Sequence, residues 1–374
     1  MADYLLYDVD VSLLSPLHIG SGQTLLHEYD YVVHGRKTWR INERTLLDAA
    51  ITDDLSIAAQ LARTKPAELL KPSDFQPGSP LFRYIIDGVP RSRAEGAELN
   101  EQIKDSYDRP YLPGTSLKGA LRTALAWHAW GENGLQPDAD RLGRSRKFAD
   151  SSYTRELFGQ NPNQDWLRAL HVSDSQPISQ DQLTLLNVRV YNRRGRLASP
   201  IELEALKGDT QFHLPLKLDL VLYSAWARGA GLQLDGQSWL RNMPQVLKSY
   251  SRDRLRSEAA WFAADQDARR ISRFYQQLLQ IEGGLKDGQF FLQLGWGTGW
   301  DDKTFGSRLQ VDKQFMEQII NRYRLSRGRR QSGDPFPASR RLAVSVARNE
   351  RGQIQESPLA PLGWCLVEMK ERGR

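Results

Sequence analysis

The chain has 374 residues, 40% hydrophobic and 26% charged, which excludes global disorder and leaves room for two domains with their own cores. Its 51 Lys and Arg against 45 Asp and Glu give a formal charge of +6, a mild excess that indicates a polyanionic partner only where the cations cluster. A single cysteine, Cys365, excludes an intrachain disulfide and a zinc site built from several thiolates.

The opening MADYLLYDVDV lacks a basic segment followed by an apolar one, and no run approaches the ~18 apolar residues of a membrane span, so a cytoplasmic protein is expected. Tyr7, Val9, Val11 and Leu13 alternate with Asp8, Asp10 and Ser12, which predicts a half-buried strand. SPLHIGSG follows as a predicted turn, then HEYDYVV as a second strand. Residues 43–70 read as helical, with Leu46, Leu47, Ile51, Leu55 and Ala58 on one face. From Lys71 to Pro90 we expect loops with one short strand.

In PYLPGTSLKGALRTALAWHAW, Leu117, Leu121 and Leu125 recur at helical spacing behind a Pro-Gly-Thr-Ser start signal. Residues 131–165 are polar, basic and predicted loop-rich. A second alternation, from Leu214 through Leu216, Leu218 and Leu220 to Leu222, suggests that a similar sheet starts again. A charged helical stretch spans about Ser238 to Glu282. The strand FFLQLG, the glycine cluster GWGTGW, a helix around Phe315, Ile319, Ile320 and Tyr323, and a last strand GWCLVEM complete the chain. Within that last strand Cys365 is expected to be a buried, inert thiol. Strands mixed with helices, without regular alternation, favour an α+β fold, and two ferredoxin-like units are compatible with it.

Three glycine motifs carry the chemistry. In SPLHIGSG, Gly20 and Gly22 let a ligand backbone approach, and His18 is able to stack on a base or move a proton; a plain turn with a structural histidine fits the same residues. In PGTSLKGALRTAL, a helix N-terminus, Lys118 one turn in and Arg122 on the same side suit a phosphate, or form a capped helix with solvated cations. Gly119 is followed by Ala120, so this is not a nucleotide-hydrolysing P-loop. In GWGTGWDDKTFGSR, Gly295, Gly297 and Gly299 alternate with Trp296 and Trp300, and Lys303 and Arg308 add charge; here indoles for stacking and indoles for core are alternatives.

Arginine clusters in VRVYNRRGR, with Arg193 and Arg194, and between Arg322 and Arg341 suit phosphate contact plus stacking, or flexible surface loops. Catalytic patterns are missing: no H-x-x-x-H, H-E-x-x-H or G-x-S-x-G occurs. Asp301 and Asp302 read as solvated turn residues rather than metal ligands. No catalytic residue, metal or cofactor is expected.

In this order the three motifs resemble the RAMP superfamily of CRISPR-associated proteins, in particular the fifth subunit of the type III-A Csm effector complex. LHVSDS at 170–175 and FPASRRL at 336–342 look like segments of the same subunit. The resemblance implies two modified ferredoxin-like (RRM-like) RAMP domains, at 1–205 and at 206–374, the second with a helical insertion. It implies a non-catalytic subunit capping the backbone filament at the 3′ end of the crRNA and supporting crRNA maturation and antiviral defence. Expected partners are the 3′ portion of the crRNA, the repeated backbone RAMP subunit, the small subunit and a host nuclease, with no membrane. Expected RNA contacts are His18, Gly20, Gly22, Lys118, Arg122, Arg193, Arg194, Gly295, Gly297, Gly299 and Lys303. Alternatives are a RAMP endoribonuclease with His18 as general base, a terminal subunit of a Cmr-type complex, and an assembly protein that contacts only proteins.

Overall fold

The computed structural model describes residues 3–50, 64–193, 196–263, 265–326 and 330–373. In chain order the strands are β1 (Tyr4–Leu13), β2 (Gly20–Leu26), β3 (Tyr31–His34), β4 (Lys37–Ile41), β5 (Phe82–Asp87), β6 (Glu98–Gln102), β7 (Leu170–Val172), β8 (Leu183–Asn192), β9 (Leu197–Leu206), β10 (Gln211–Asp219), β11 (Gln289–Gln293), β12 (Ser339–Arg348), β13 (Ile354–Ala360) and β14 (Trp364–Glu371). The helices are α1 (Glu43–Ala50), α2 (Gly114–Glu132), α3 (Ser151–Phe158), α4 (Ala225–Gly229), α5 (Gln237–Arg241), α6 (Met243–Phe262), α7 (Arg269–Glu282) and α8 (Lys313–Arg322).

Five strands form one antiparallel sheet in the order β11-β14-β1-β10-β7. The two alternating segments are neighbours in it: Val9 lies opposite Leu214 and Val11 opposite Phe212. Their apolar sides join the leucine stripe of α2, with Leu117, Leu121, Leu125, Leu214 and Leu216 all buried in one core. Each fully buried leucine contributes roughly 1.5–3 kcal/mol, so this contact anchors the helix. β10 ends at Asp219, and residues 221–223 turn away as a 3₁₀ segment, so Leu220 and Leu222 are not strand residues as predicted.

The second sheet runs β2-β6-β9-β8-β5-β4-β3, and the β12–β13 hairpin joins it through β8. Pairing crosses residues 205/206 in both sheets: β1 is held between β10 and β14, and β8 carries β12. The helical stretch after residue 236 is divided into α5, α6 and α7; α6 and α7 cover Phe291 and Trp364 in a separate core.

The architecture is α+β, as expected, with local corrections. The predicted turn SPLHIGSG already contains the start of β2, and the strand predicted at HEYDYVV shortens to β3. β2 is an edge strand with only Leu25 buried, so it has no alternating pattern to read. Among the described residues the helix predicted over 43–70 is α1 and a 3₁₀ turn at Pro66–Leu69; Ile51, Leu55 and Ala58 lie outside them. The segment read as loop-rich holds α3, with Tyr153, Leu157 and Phe158 buried. Cys365 is buried as expected, its thiol pushed up by burial and donating to the Leu292 carbonyl. No described helix is long and apolar enough to cross a membrane.

Candidate nucleic-acid interface

The fold brings the first and third glycine motifs together. The Trp296 amide donates to the His18 carbonyl at 2.8 Å, and the His18 ring stands edge-on to the Trp296 indole, with centroids 6.1 Å apart. Glycine is required at 295: φ is +77°, and a Cβ there would lie 2.4 Å from the His18 carbonyl oxygen. FPASRRL supplies the third component, since the Arg341 guanidinium lies over the Trp296 ring, 4.8 Å from its centroid. Between these parts lies a cleft of about 210 Å³, lined by His18, Gly20, Gly22, Gln23, Asn100, Glu101, Leu203 and Trp296.

Beneath the cleft the structure is rigidly bonded. His18 is 3% exposed, and its Nδ1 lies 2.6 Å from the Glu204 carbonyl oxygen. Burial pushes its pKa down, the Glu204 bond partly offsets this, and the Lys104 charge lowers it further, so the imidazole is neutral at pH 7. The Glu204 carboxylate, also buried, accepts from Lys104 Nζ at 2.5 Å, from the Tyr84 hydroxyl at 2.8 Å and from the Gln102 amide at 3.1 Å. Glu101 at the rim accepts from the Ser21 hydroxyl at 2.8 Å.

The central motif is engaged inside the chain. Lys118 Nζ donates to the Leu170 carbonyl at 2.6 Å, and Arg122 pairs with Asp165 at 2.8 Å while stacking on Phe158. The N-terminus of α2 is given to LHVSDS, where Asp174 accepts from the Gly114 amide at 2.7 Å. A Cβ at Gly114 would lie 2.3 Å from the Val172 carbonyl, so this glycine serves helix-to-β7 packing. Neither Lys118 nor Arg122 lines the cleft.

The other expected contacts are scattered. Gly297 (φ +95°) packs against Leu362, Gly299 (φ +93°) faces open space, and Lys303 is exposed. Arg193 is exposed with its guanidinium 5.3 Å from the Trp261 ring centroid, and Arg340 lies over the same ring at 5.1 Å. Arg194 lies outside the described residues. Arg308 turns inward onto Trp127.

Asp301 and Asp302 correct the sequence reading most sharply, since both are buried rather than solvated. They join Arg254, Glu258 and Arg340 in an ionic cluster: Arg254 Nε donates to Asp302 at 3.0 Å, its terminal nitrogen to Glu258 at 3.0 Å, and Arg340 bridges Glu258 and Asp301. Burial pushes Asp301 up to about 6 against the pull of Arg254 and Arg340. Burial likewise raises Glu258, but the two arginines outweigh it and hold this carboxyl below its usual range. The i,i+4 pair Arg254–Glu258 is the one signal in the sequence that could have revealed the cluster. Asn100, Glu101, Lys104 and Glu204 were missed, because only strand pairing brings them beside His18.

A larger hollow of about 610 Å³ beside α1 is lined by Arg40, Arg44 and Arg83. Arg40 and Arg83 are bonded to Asp30 and Asp108 there, and none of the three motifs reaches it. Among the described residues no group of three or more His, Cys, Asp or Glu is placed to hold a metal ion.

The sequence pattern of the RAMP superfamily matches residues 10–300, most of the chain and two of the three glycine motifs in full. The chain belongs to the RAMP superfamily. A curated relative, the CRISPR system Cms protein Csm5 of Streptococcus thermophilus, is 24% identical over 223 residues. That match covers 54% of this RAMP chain and 60% of the relative's length. Among solved structures, a chain of the cryo-EM Csm–crRNA–target RNA ternary complex of a type III-A CRISPR-Cas system aligns with a TM-score of 0.63 at 21% identity, covering 97% of this chain and all of that one. The crystal structure of T. onnurineus Csm5 aligns with a TM-score of 0.62 at 21% identity, covering 96% and 99%. These alignments establish the fold as the modified ferredoxin-like RAMP architecture of Csm5.

Proposed function

We propose that this RAMP protein is an RNA-binding subunit of a type III-A Csm effector complex, holding the 3′ portion of the crRNA and capping the backbone filament without cutting RNA. The observation that carries the proposal is the cleft in which His18, Gly20 and Gly22 meet Trp296 beside Arg341. An indole suits stacking with any base, glycines let a sugar-phosphate chain approach the backbone, and a guanidinium adds charge. The likeness to Csm5 and to a chain of a Csm–crRNA–target RNA complex supports the seat. The partners on this reading are the crRNA, the repeated backbone subunit and the small subunit. A recruited nuclease would perform the trimming step of crRNA maturation.

Fluorescence anisotropy of the purified chain with single-stranded crRNA tests the RNA contact. The logarithm of affinity falls linearly with the logarithm of salt between about 50 and 200 mM. Trp296→Ala weakens binding roughly 5- to 150-fold, the range expected for one lost stacking partner. Equal affinity of the two proteins, or a complex indifferent to salt, would sink the RNA contact. Cleavage of repeat RNA in EDTA that disappears in His18→Ala would establish the endoribonuclease alternative instead.

A further inference from the structure

We infer that the cleft reads the sugar: His18 Nε2 accepts a hydrogen bond from one ribose 2′-hydroxyl, so the site distinguishes RNA from DNA. The inference rests on the proposal that this cleft is an RNA contact, and adds which chemical group enters it.

The argument starts from the tautomer. Nδ1 of His18 lies 2.6 Å from a main-chain carbonyl, and a carbonyl only accepts, so Nδ1 carries the proton. In a neutral ring the other nitrogen, Nε2, then presents a lone pair. Among the hydrogen bonds of the described residues none uses Nε2, although the residue is 3% exposed. What lies over this atom is Gly20: a Cβ at that position would be 3.2 Å from Nε2, so the absence of a side chain keeps the acceptor uncovered. Gly22, at φ +91° with open space around it, adds no roof.

The lining bears on whether a phosphate, a base or a sugar enters. The Glu101 carboxylate, which accepts from Ser21 and lies 3.5 Å from Lys104 Nζ, offers an acceptor rather than a phosphate-binding donor, so the group that enters beside it is a donor. Base edges present donors next to acceptors and need a matched pair. Here Nε2 and Glu101 are both acceptors, while one hydrogen of the Asn100 amide goes to the Glu202 carbonyl at 3.2 Å and its other hydrogen and the Gln23 amide are the donors of the lining. The fixed lone pair of Nε2, uncovered beneath Gly20, matches a hydroxyl proton, the group that RNA has and DNA lacks.

The experiment is a 2′-deoxy scan. Single-stranded guide RNAs, each with one ribose replaced by deoxyribose, are bound by the full chain and by His18→Ala, with thermal melts to verify folding. One position is expected to lose roughly 2- to 13-fold in affinity, the range of one neutral hydrogen bond, and His18→Ala should abolish that loss. Gly20→Ala, which sets a methyl against Nε2 and keeps the imidazole, should abolish it too. RNA binding with a flat scan, or with a loss that persists in both variants, would overturn the inference while leaving the RNA contact standing. Failure of every strand to bind would overturn both. Strand scission by the wild-type chain at the sensitive ribose, absent in His18→Ala, would make His18 a base rather than a recognition residue, and the inference would fall.

Discussion

Replacing Arg254 by methionine tests the buried ionic cluster. Arg254 is 2% exposed and is one of two cations among three carboxylates. Its loss leaves Glu258, Asp301 and Asp302 facing Arg340 alone, and breaking a buried ionic pair in this way costs about 3–5 kcal/mol. At ~2.1 cal/mol/K per residue, the 374-residue chain has an unfolding entropy near 0.8 kcal/mol/K, so the melting temperature falls by about 4–6 °C. The deficit also depends on pH. Asp301 titrates near 6 in the folded chain, above its ordinary value of 3.8, because burial penalises its charge. A carboxyl raised on folding costs stability when ionised; that cost is complete above pH 6 and is relieved as the pH falls towards 4. Without Arg254 the carboxyls rise further, so the variant's deficit narrows between about pH 8 and pH 5.5. Thermal melts of both proteins at these two pH values measure it. A deficit below about 1 kcal/mol, or one that does not change with pH, would refute the reasoning and return the cluster to the status of a surface pair.

Two further substitutions separate the roles of the glycine motifs. Gly295→Ala should destabilise the chain by more than Gly299→Ala, because both need a left-handed backbone but only the first meets the His18 carbonyl. Chemical denaturation compares them, and equal losses would refute the close-approach argument. Asp174→Ala should cost about 0.5–2 kcal/mol through loss of the acceptor at the α2 N-terminus, with RNA affinity unchanged. A large drop in RNA affinity in that variant, in a folded protein, would place the central motif in the RNA contact after all.

Local periodicity made much of the fold legible. Val9, Val11 and Leu13, the Leu214–Leu218 run and the Leu117–Leu121–Leu125 stripe are buried as their spacing predicts, because one-sided burial leaves a period in the sequence. β2 was misread because only Leu25 of its seven residues is buried, which leaves no one-sided pattern in the sequence. The candidate site was half legible. The glycines and Trp296 marked two of its walls, but the register of β2, β6 and β9 brings Asn100, Glu101 and Leu203 to them, and nothing local in those residues announces it. Lys118 and Arg122 show the converse. Their spacing on a helix face suits a phosphate, yet a carbonyl and a carboxylate from residues 165–170 already occupy them. Asp301 and Asp302 were misassigned for the same reason, since their arginine partners come from α6 and β12.

The central place of β1 governs how the chain can be assembled during synthesis. Its two neighbours are residues 211–219 and 364–371, so Tyr4–Leu13 leaves the ribosome long before either edge can be satisfied. Until then Val9, Val11 and Leu13 form a sticky ribbon with unpaired amides, vulnerable to other nascent chains. Such long-range closure slows folding, and the first sheet becomes complete only when its last-made strand docks beside its first.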